Sequence, residues 1–225
     1  MHHDLTIVLP AFNEESAICD TIFEIIHKTQ AFIVVVDDGS TDDSPTRLGN
    51  VADGNRIRVV RHSARRGYGA ALKTGISLAT SSLVALMDAD YTYDAGCLNE
   101  LSRLAQKQKM DCVWCDRIAG GGRGMSAPRR IGNTLINATF RLTTGKSLPD
   151  CISGQRIFTR EALMKLDYMS LPDGFDFMSA LSKRIVSRGL RYATIPWDYR
   201  ERKGVSKLNP IIDFIRILRP ILTEK

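Results

Sequence analysis

The apolar positions fall into short unbroken runs separated by longer stretches of helical periodicity. Residues 5–9, 31–36, 57–61, 83–87 and 110–115 are short stretches rich in apolar and β-branched residues, the 83–87 run wholly apolar, and each is too short for a typical helix. Such runs read as strands, and near-continuous apolar character marks strands covered on both faces in a parallel sheet. Helical spacing covers about 16–28, 43–51, 67–79 and 94–107. Pro10 is expected to end the first strand, and Asn13 to cap the first helix, with Glu14 and Glu15 at its positive end. The later chain predicts a helix over 129–142, a polar turn from Asp150 into a strand ending near Phe158, helices over 161–166 and 175–188, and a strand over 191–196. Strands alternating with helices predict one α/β domain with a mainly parallel sheet flanked by helices. We assign it to residues 1–208, and residues 209–225 to a C-terminal amphipathic helix. Two destinations stand for that helix: a membrane interface or the body of the protein.

Composition narrows the class. The chain has 225 residues, 44% hydrophobic and 25% charged, as in a soluble globular protein. No run approaches the ~18 apolar residues of a membrane span, and the N-terminus shows no signal-peptide pattern. The expected location is the cytoplasm or the cytoplasmic face of a membrane. The net charge of +6 is unevenly spread, with acids crowded into the first 90 residues and arginines and lysines dominating from Arg117 onward. That asymmetry points to an anionic partner for the second half. The basic stretches lack interleaved aromatics, which argues against nucleic acid. Five cysteines in such a chain argue against a disulfide framework. In a strand, Cys112 and Cys115 would face opposite sides, so their C-x-x-C spacing is not read as a metal or redox site.

Candidate chemistry gathers where strands end. The 83–87 run leads into Asp88-Ala89-Asp90, and two carboxylates so close repel each other unless a cation joins them. Hard oxygen ligands suit Mg2+ or Mn2+, which also hold substrate phosphates; the alternative is that both acids cap the next helix. Asp37-Asp38-Gly39-Ser40 ends the second strand, and part of it must be turn chemistry. Ligands of open α/β sheets bind at this carboxyl edge. Arg65, Arg66 and the glycines after them open a helix that ends beyond Lys73, an arrangement suited to phosphate. Gly120-Gly121-Gly122-Arg123-Gly124 reads as a mobile loop, either a lid or a plain connector. An acid pair for a metal, acids for a base and arginines for phosphates suggest a nucleoside diphosphate substrate.

Several segments, in order along residues 5–208, carry a resemblance: Pro10-Ala11-Phe12-Asn13-Glu14, Val36-Asp37-Asp38-Gly39-Ser40, Gly67-Tyr68-Gly69-Ala70, Met87-Asp88-Ala89-Asp90, Ser153-Gly154-Gln155-Arg156, Gly174-Phe175-Asp176-Phe177 and Arg202-Lys203-Gly204-Val205-Ser206-Lys207. Together they resemble family 2 glycosyltransferases of the GT-A (Rossmann-like) fold, most closely the dolichol-phosphate mannose synthase and polyprenyl-phosphate glycosyltransferase branch. The resemblance implies a Mg2+- or Mn2+-dependent inverting hexosyl transfer from GDP-mannose or a UDP-sugar to a polyprenyl (dolichyl-type) phosphate. It implies that Pro10, Ala11, Asn13, Glu14, Asp37, Asp38, Arg66, Lys73, Asp88 and Ala89 hold the nucleotide, and that Asp88 and Asp90 hold the metal. Arg117, Arg129, Arg130, Asn133, Arg202 and Lys207 would cradle the acceptor phosphate. Asp90 would act in catalysis through the metal, and a hydroxyl acceptor would need a base, for which Asp150 and Asp176 are the candidates. Thr92 and Met178 stand where many relatives carry Gln and Glu. Three other readings are a soluble transferase acting on a small molecule or glycan, a non-catalytic nucleotide-sugar or membrane-surface binding protein, and a nucleotidyltransferase.

Overall fold

The first strand, β1 (Leu5–Ala11), does not stop at Pro10. In β1 the Val8 carbonyl accepts from the Met87 amide at 3.1 Å, so Pro10, two residues on, presents the same edge. The register with β4 (Leu83–Leu86) ends at Val8↔Leu86, so no ladder bond is lost where the proline lacks its N–H. On the other edge, β2 (Phe32–Asp37) pairs in parallel as far as Ala11↔Asp37.

The computed structural model describes residues 4–122 and 124–223. A seven-stranded sheet runs β3-β2-β1-β4-β6-β5-β7, adding β3 (Ile57–Arg61), β5 (Cys112–Asp116), β6 (Arg156–Thr159) and β7 (Tyr192–Pro196). Helices α1 (Ile18–Lys28), α2 (Ser44–Val51), α3 (Tyr68–Leu78), α4 (Cys97–Lys107), α5 (Ala127–Thr144), α6 (Arg160–Lys165), α7 (Phe177–Ser187) and α8 (Ile212–Thr223) cover it. All pairings are parallel except those of β6, which runs against both β4 and β5. The apolar alternation that predicts strands carries no direction, so this reversal was not legible beforehand. It matters because the start of β6, with Gly154 just before it, comes to the same sheet edge as the end of β4.

Alternate residues along the strands feed two core layers. Ile7, Leu9, Val35 and Val113 pack with Ile18, Ile22, Leu98 and Leu101 of α1 and α4. Val8, Val84, Trp114 and Phe158 pack with Leu72, Phe140, Phe177 and Ile217 of α3, α5, α7 and α8. Gly75 lets α3 lie directly on β1, because a Cβ there would stand 2.2 Å from Val8 Cγ1. Cys112 and Cys115 do face opposite layers. Cys115 and Cys97, 18 residues apart in sequence, bring their sulfurs together where α4 packs on β5.

The glycine-rich segment is not a free flap. Gly124 donates its amide to the Tyr199 carbonyl at 2.9 Å. A Cβ on Gly120 would fall 2.0 Å from the Trp197 carbonyl oxygen, and one on Gly124 would fall 2.2 Å from Arg200. These glycines permit close backbone packing against 197–200; Arg123 lies outside the described residues.

Candidate active site

A cavity of about 460 Å3 opens at the carboxyl edge of β1, β2 and β4 and extends between α5, α7 and α8. Of the residues expected from sequence, it brings together Pro10, Ala11, Glu14, Asp38, Asp88, Ala89, Asp90, Arg117, Arg129, Asn133, Arg202 and Lys207.

Two loops build one end. Asn13 does not cap α1, whose N-cap is Ala17. It adopts φ +54°, accepts the Thr41 amide on Oδ1 at 2.8 Å and donates its own amide to Ser40 Oγ at 2.9 Å. The short polar side chain that suits a cap also suits this left-handed turn, and here it ties the loop after β1 to the loop after β2. Asp37 is buried in turn chemistry, accepting the Ser40 amide at 2.9 Å and pairing with Arg61 at 3.2 Å. Asp38 takes the Arg66 amide on Oδ1 at 2.9 Å and the Gly67 amide on Oδ2 at 2.8 Å, and His62 Nδ1 lies 2.7 Å from Oδ1. It thus clamps the entry to α3 while facing the cavity. Arg65, not among the expected nucleotide ligands, lies over the Phe12 ring at 4.2 Å, and both form part of this wall.

The acid pair follows β4. Asp88 Oδ1 accepts from Tyr68 Oη at 2.8 Å. Burial, and then repulsion by Asp90, raises the Asp88 pKa to about 6. Asp90 Oδ1 accepts from Thr92 Oγ1 at 2.5 Å, so the threonine fixes this carboxylate and is not itself a cavity ligand. The other oxygen of Asp90 accepts from Arg202 at 2.7 Å, and the second guanidinium nitrogen of Arg202 donates to Glu14. Lys207 lies 3.4 Å from the same Glu14 oxygen. Burial pushes Glu14 up to about 7 against the pull of Arg202 and Lys207, and its Oε2 is buried with no hydrogen-bond partner. Arg202 and Lys207, expected at an acceptor phosphate, therefore lie on the acids.

This arrangement fits a divalent cation. A guanidinium already stands between two buried carboxylates, and the donors are hard oxygens. Among the described residues no group of three or more acids, histidines or cysteines forms a metal cage. Asp88 and Asp90 could hold an ion whose remaining positions belong to diphosphate and water.

The far end is basic and apolar. Arg117 binds Asp150 through Nε to Oδ2 and through the terminal nitrogen to Oδ1, both at 2.6 Å. Burial alone would depress the Arg117 guanidinium; Asp150 outweighs it and holds it well above its ordinary value. Asp150, expected as a candidate base, is 1% exposed and gives both oxygens to this pair. Asp176 flanks the start of α7 away from the cavity wall. Lys73 is also off the wall, bracing α3 to Asp173 at 2.8 Å. The side chains of Arg66 and Arg130 do not line it either, nor do Asn13 and Asp37. Ile136, Ile152, Phe175, Met178, Phe214 and Ile217 give this end an apolar wall. Tyr68 stacks on Phe175 with ring centroids 5.5 Å apart and joins the two ends. Tyr68 was not among the expected site residues; its place between two glycines at a helix start is the available signal.

The fold is a mainly parallel α/β sheet with an acid pair and a cavity at its carboxyl edge. Residues 6–167 match the family described as Glycosyl transferase family 2, and the chain belongs to that family; it is a glycosyltransferase. It is 32% identical to the glycosyltransferase AglJ of Haloferax volcanii, over 92% of this chain and 67% of that one. It is 30% identical to the dolichyl-phosphate hexose transferase of the same organism, over 92% and 87%. Glucosyl-3-phosphoglycerate synthase from Mycobacterium tuberculosis, crystallised with Mn2+, UDP-glucose and phosphoglyceric acid, superposes with a TM-score of 0.70 at 23% identity, over 98% of this chain and 80% of that one. The neighbour establishes the GT-A fold.

Proposed function

We propose that the chain transfers a hexosyl group from a nucleoside diphosphate sugar to a polyprenyl (dolichyl-type) phosphate, with inversion and with Mg2+ or Mn2+ bound at Asp88 and Asp90. The observation that carries this reading is the division of one cavity. Its wall carboxylates, Glu14, Asp38, Asp88 and Asp90, all stand at the sheet edge, whereas the other end offers Arg117, Arg129 and Asn133 beside an apolar wall. A hydroxyl acceptor needs a base within reach. Asp150 is tied to Arg117, and Met178, which lines the wall, cannot act as a base. A phosphate acceptor is already an anion near neutral pH and needs none.

In this reading Pro10, Ala11, Glu14 and Asp38 hold the nucleoside, and a divalent ion held by Asp88 and Asp90 would supply neutralisation of charge on the leaving diphosphate. Arg117 and Arg129 bind the acceptor phosphate, with Arg117 kept in register by Asp150. One acceptor oxygen attacks the anomeric carbon, the bond from that carbon to the diphosphate breaks, and the products are a prenyl phosphate hexose and a nucleoside diphosphate. Arg202 and Lys207, which stand on Asp90 and Glu14 at the same place, would be available to the diphosphate once a divalent ion takes up the acids. The relative named as a dolichyl-phosphate hexose transferase supports the acceptor class, and the Mn2+ and UDP-glucose of the structural neighbour support the donor class.

The same neighbour, crystallised with phosphoglyceric acid, motivates a second reading with a small phosphorylated acceptor; the apolar wall favours the lipid. The test is turnover of UDP- and GDP-sugars with Mn2+ and detergent-dispersed dolichyl phosphate. Formation of the glycosylated phosphodiester is expected. No turnover with the prenyl phosphate, alongside reaction with phosphoglycerate or a soluble alcohol, would refute the lipid reading.

A further inference from the structure

Tyr68 stands where the two ends of the cavity meet, and its ring and its hydroxyl are held by different neighbours. It is the first residue of α3 and lies between two glycines that let the start of that helix press onto 172–174. A Cβ on Gly67 would fall 2.3 Å from the Asp173 carbonyl oxygen, and one on Gly69 would fall 2.3 Å from that of Pro172. Gly67 has φ +116°, open to glycine and strained for other residues, and the Ala70 amide donates to the Asp173 carbonyl at 3.1 Å. The backbone under Tyr68 is thereby fixed to the segment that carries Phe175, on whose ring the tyrosine stacks. None of these contacts uses the hydroxyl.

The hydroxyl donates instead to Asp88 Oδ1 at 2.8 Å. Gly154 closes the other side of the same carboxylate, since a Cβ there would stand 2.3 Å from Oδ2. Asp88 is therefore gripped from two directions, by the start of α3 and by the backbone just before β6. The second acid has a matching provision, because Asp90 Oδ1 accepts from Thr92 Oγ1. Each member of the pair has one oxygen fixed by a neutral hydroxyl, which orients the carboxylate without bringing a charge to compete with a cation. Carboxylates that ligate metals are themselves hydrogen-bonded in this way, and loss of such a partner typically costs about 10–100-fold in metal affinity.

We propose that Tyr68 is a positioning residue of the donor site, whose hydroxyl sets the Asp88 carboxylate to receive the divalent ion of a nucleoside diphosphate and acts through that carboxylate alone. The inference rests on the proposed binding of Mg2+ or Mn2+ at Asp88 and Asp90, and is independent of the acceptor. Phe175, which braces the ring, belongs to the apolar wall, so the part that fixes the hydroxyl lies at the opposite end of the same cavity.

The test is isothermal calorimetry of the full chain with UDP and with GDP, each with and without Mn2+, comparing the natural chain with Tyr68→Phe, Asp88→Asn and the double variant. Tyr68→Phe keeps the ring and its stack and removes one oxygen. Its melting transition should move little, while Mn2+-dependent nucleotide affinity falls about 10–100-fold. In the Asp88→Asn background the same substitution should change the remaining nucleotide affinity by no more than about twofold, because a residue that acts through another is not additive with it. If Tyr68→Phe does not fold, Phe175→Leu keeps the hydroxyl and removes its brace, and a smaller loss of the same Mn2+-dependent affinity is expected. Full Mn2+-dependent affinity in the folded variant would overturn the inference alone. So would an equal loss in the Asp88→Asn background, which would mean that the hydroxyl touches the nucleotide directly. A natural chain whose nucleotide affinity ignores Mn2+ would instead overturn the metal reading, and this inference with it.

Discussion

Replacing Asp150 by Asn removes one charge from an enclosed ion pair whose arginine lines the cavity. The Asp150 side chain has no exposed surface and that of Arg117 has 10%. Asn matches Asp in volume and tolerates the φ of +47° at this position, so the substitution tests charge and little else. Breaking a buried pair from one side costs about 3–5 kcal/mol, because the other charge stays behind. The amide oxygen of Asn can still accept one guanidinium hydrogen bond, which puts the expected loss near the lower limit, about 3 kcal/mol. For a chain of this size about 1 kcal/mol lowers Tm by roughly 2–4 °C, so a fall of about 6–12 °C is expected by differential scanning calorimetry. With Arg117 released from its alignment, KM for the acceptor should rise while the acidic limb of the pH–rate profile, where a general base would titrate, survives. The opposite pattern, an unchanged Tm with turnover abolished and the pH–rate limb lost, would show that Asp150 acts as a base and that its pairing with Arg117 is incidental.

Two further substitutions probe the acid pair. Arg202→Ala takes away the guanidinium that joins Glu14 to Asp90, and isothermal calorimetry without nucleotide should show Mn2+ binding about tenfold tighter or more, since a charged hydrogen bond of about 1.5–3 kcal/mol no longer competes; weaker binding would mean that Arg202 does not occupy the cation position. Gly154→Ala sets a Cβ 2.3 Å from Asp88 Oδ2, so Asp88 must turn away. Mn2+-dependent nucleotide binding should fall by an order of magnitude at an overpacking cost of about 1–3 kcal/mol, and full retention of nucleotide affinity would detach Asp88 from the donor site.

Local pattern carried much of this molecule. The apolar runs of β1, β2, β3 and β5, the acids at the ends of β2 and β4 and the amphipathic α8 are all readable without coordinates, because burial on a helix or strand face imposes a period on the chain. Side-chain function was read less well wherever one residue type serves two purposes. Asn13 suits a helix cap and a left-handed loop equally, and only the proximity of Thr41 separates them. Asp37 and Asp38 are neighbours with the same chemistry, yet one is consumed by its own turn and the other faces the cavity.

From its residues alone the chain's class and the placement of acids and bases along it could be derived, since both depend on spacing along the backbone, and the quoted motifs carried the resemblance to its family. What tertiary structure decided was partnership across long separations. Antiparallel β6 carries Gly154 to Asp88, Arg117 meets Asp150 over 33 residues, and Arg202 closes on Glu14 over 188. A charge in sequence has no partner until the chain folds, and it is the partner that determines whether a carboxylate is a base, a ligand or half of an ion pair.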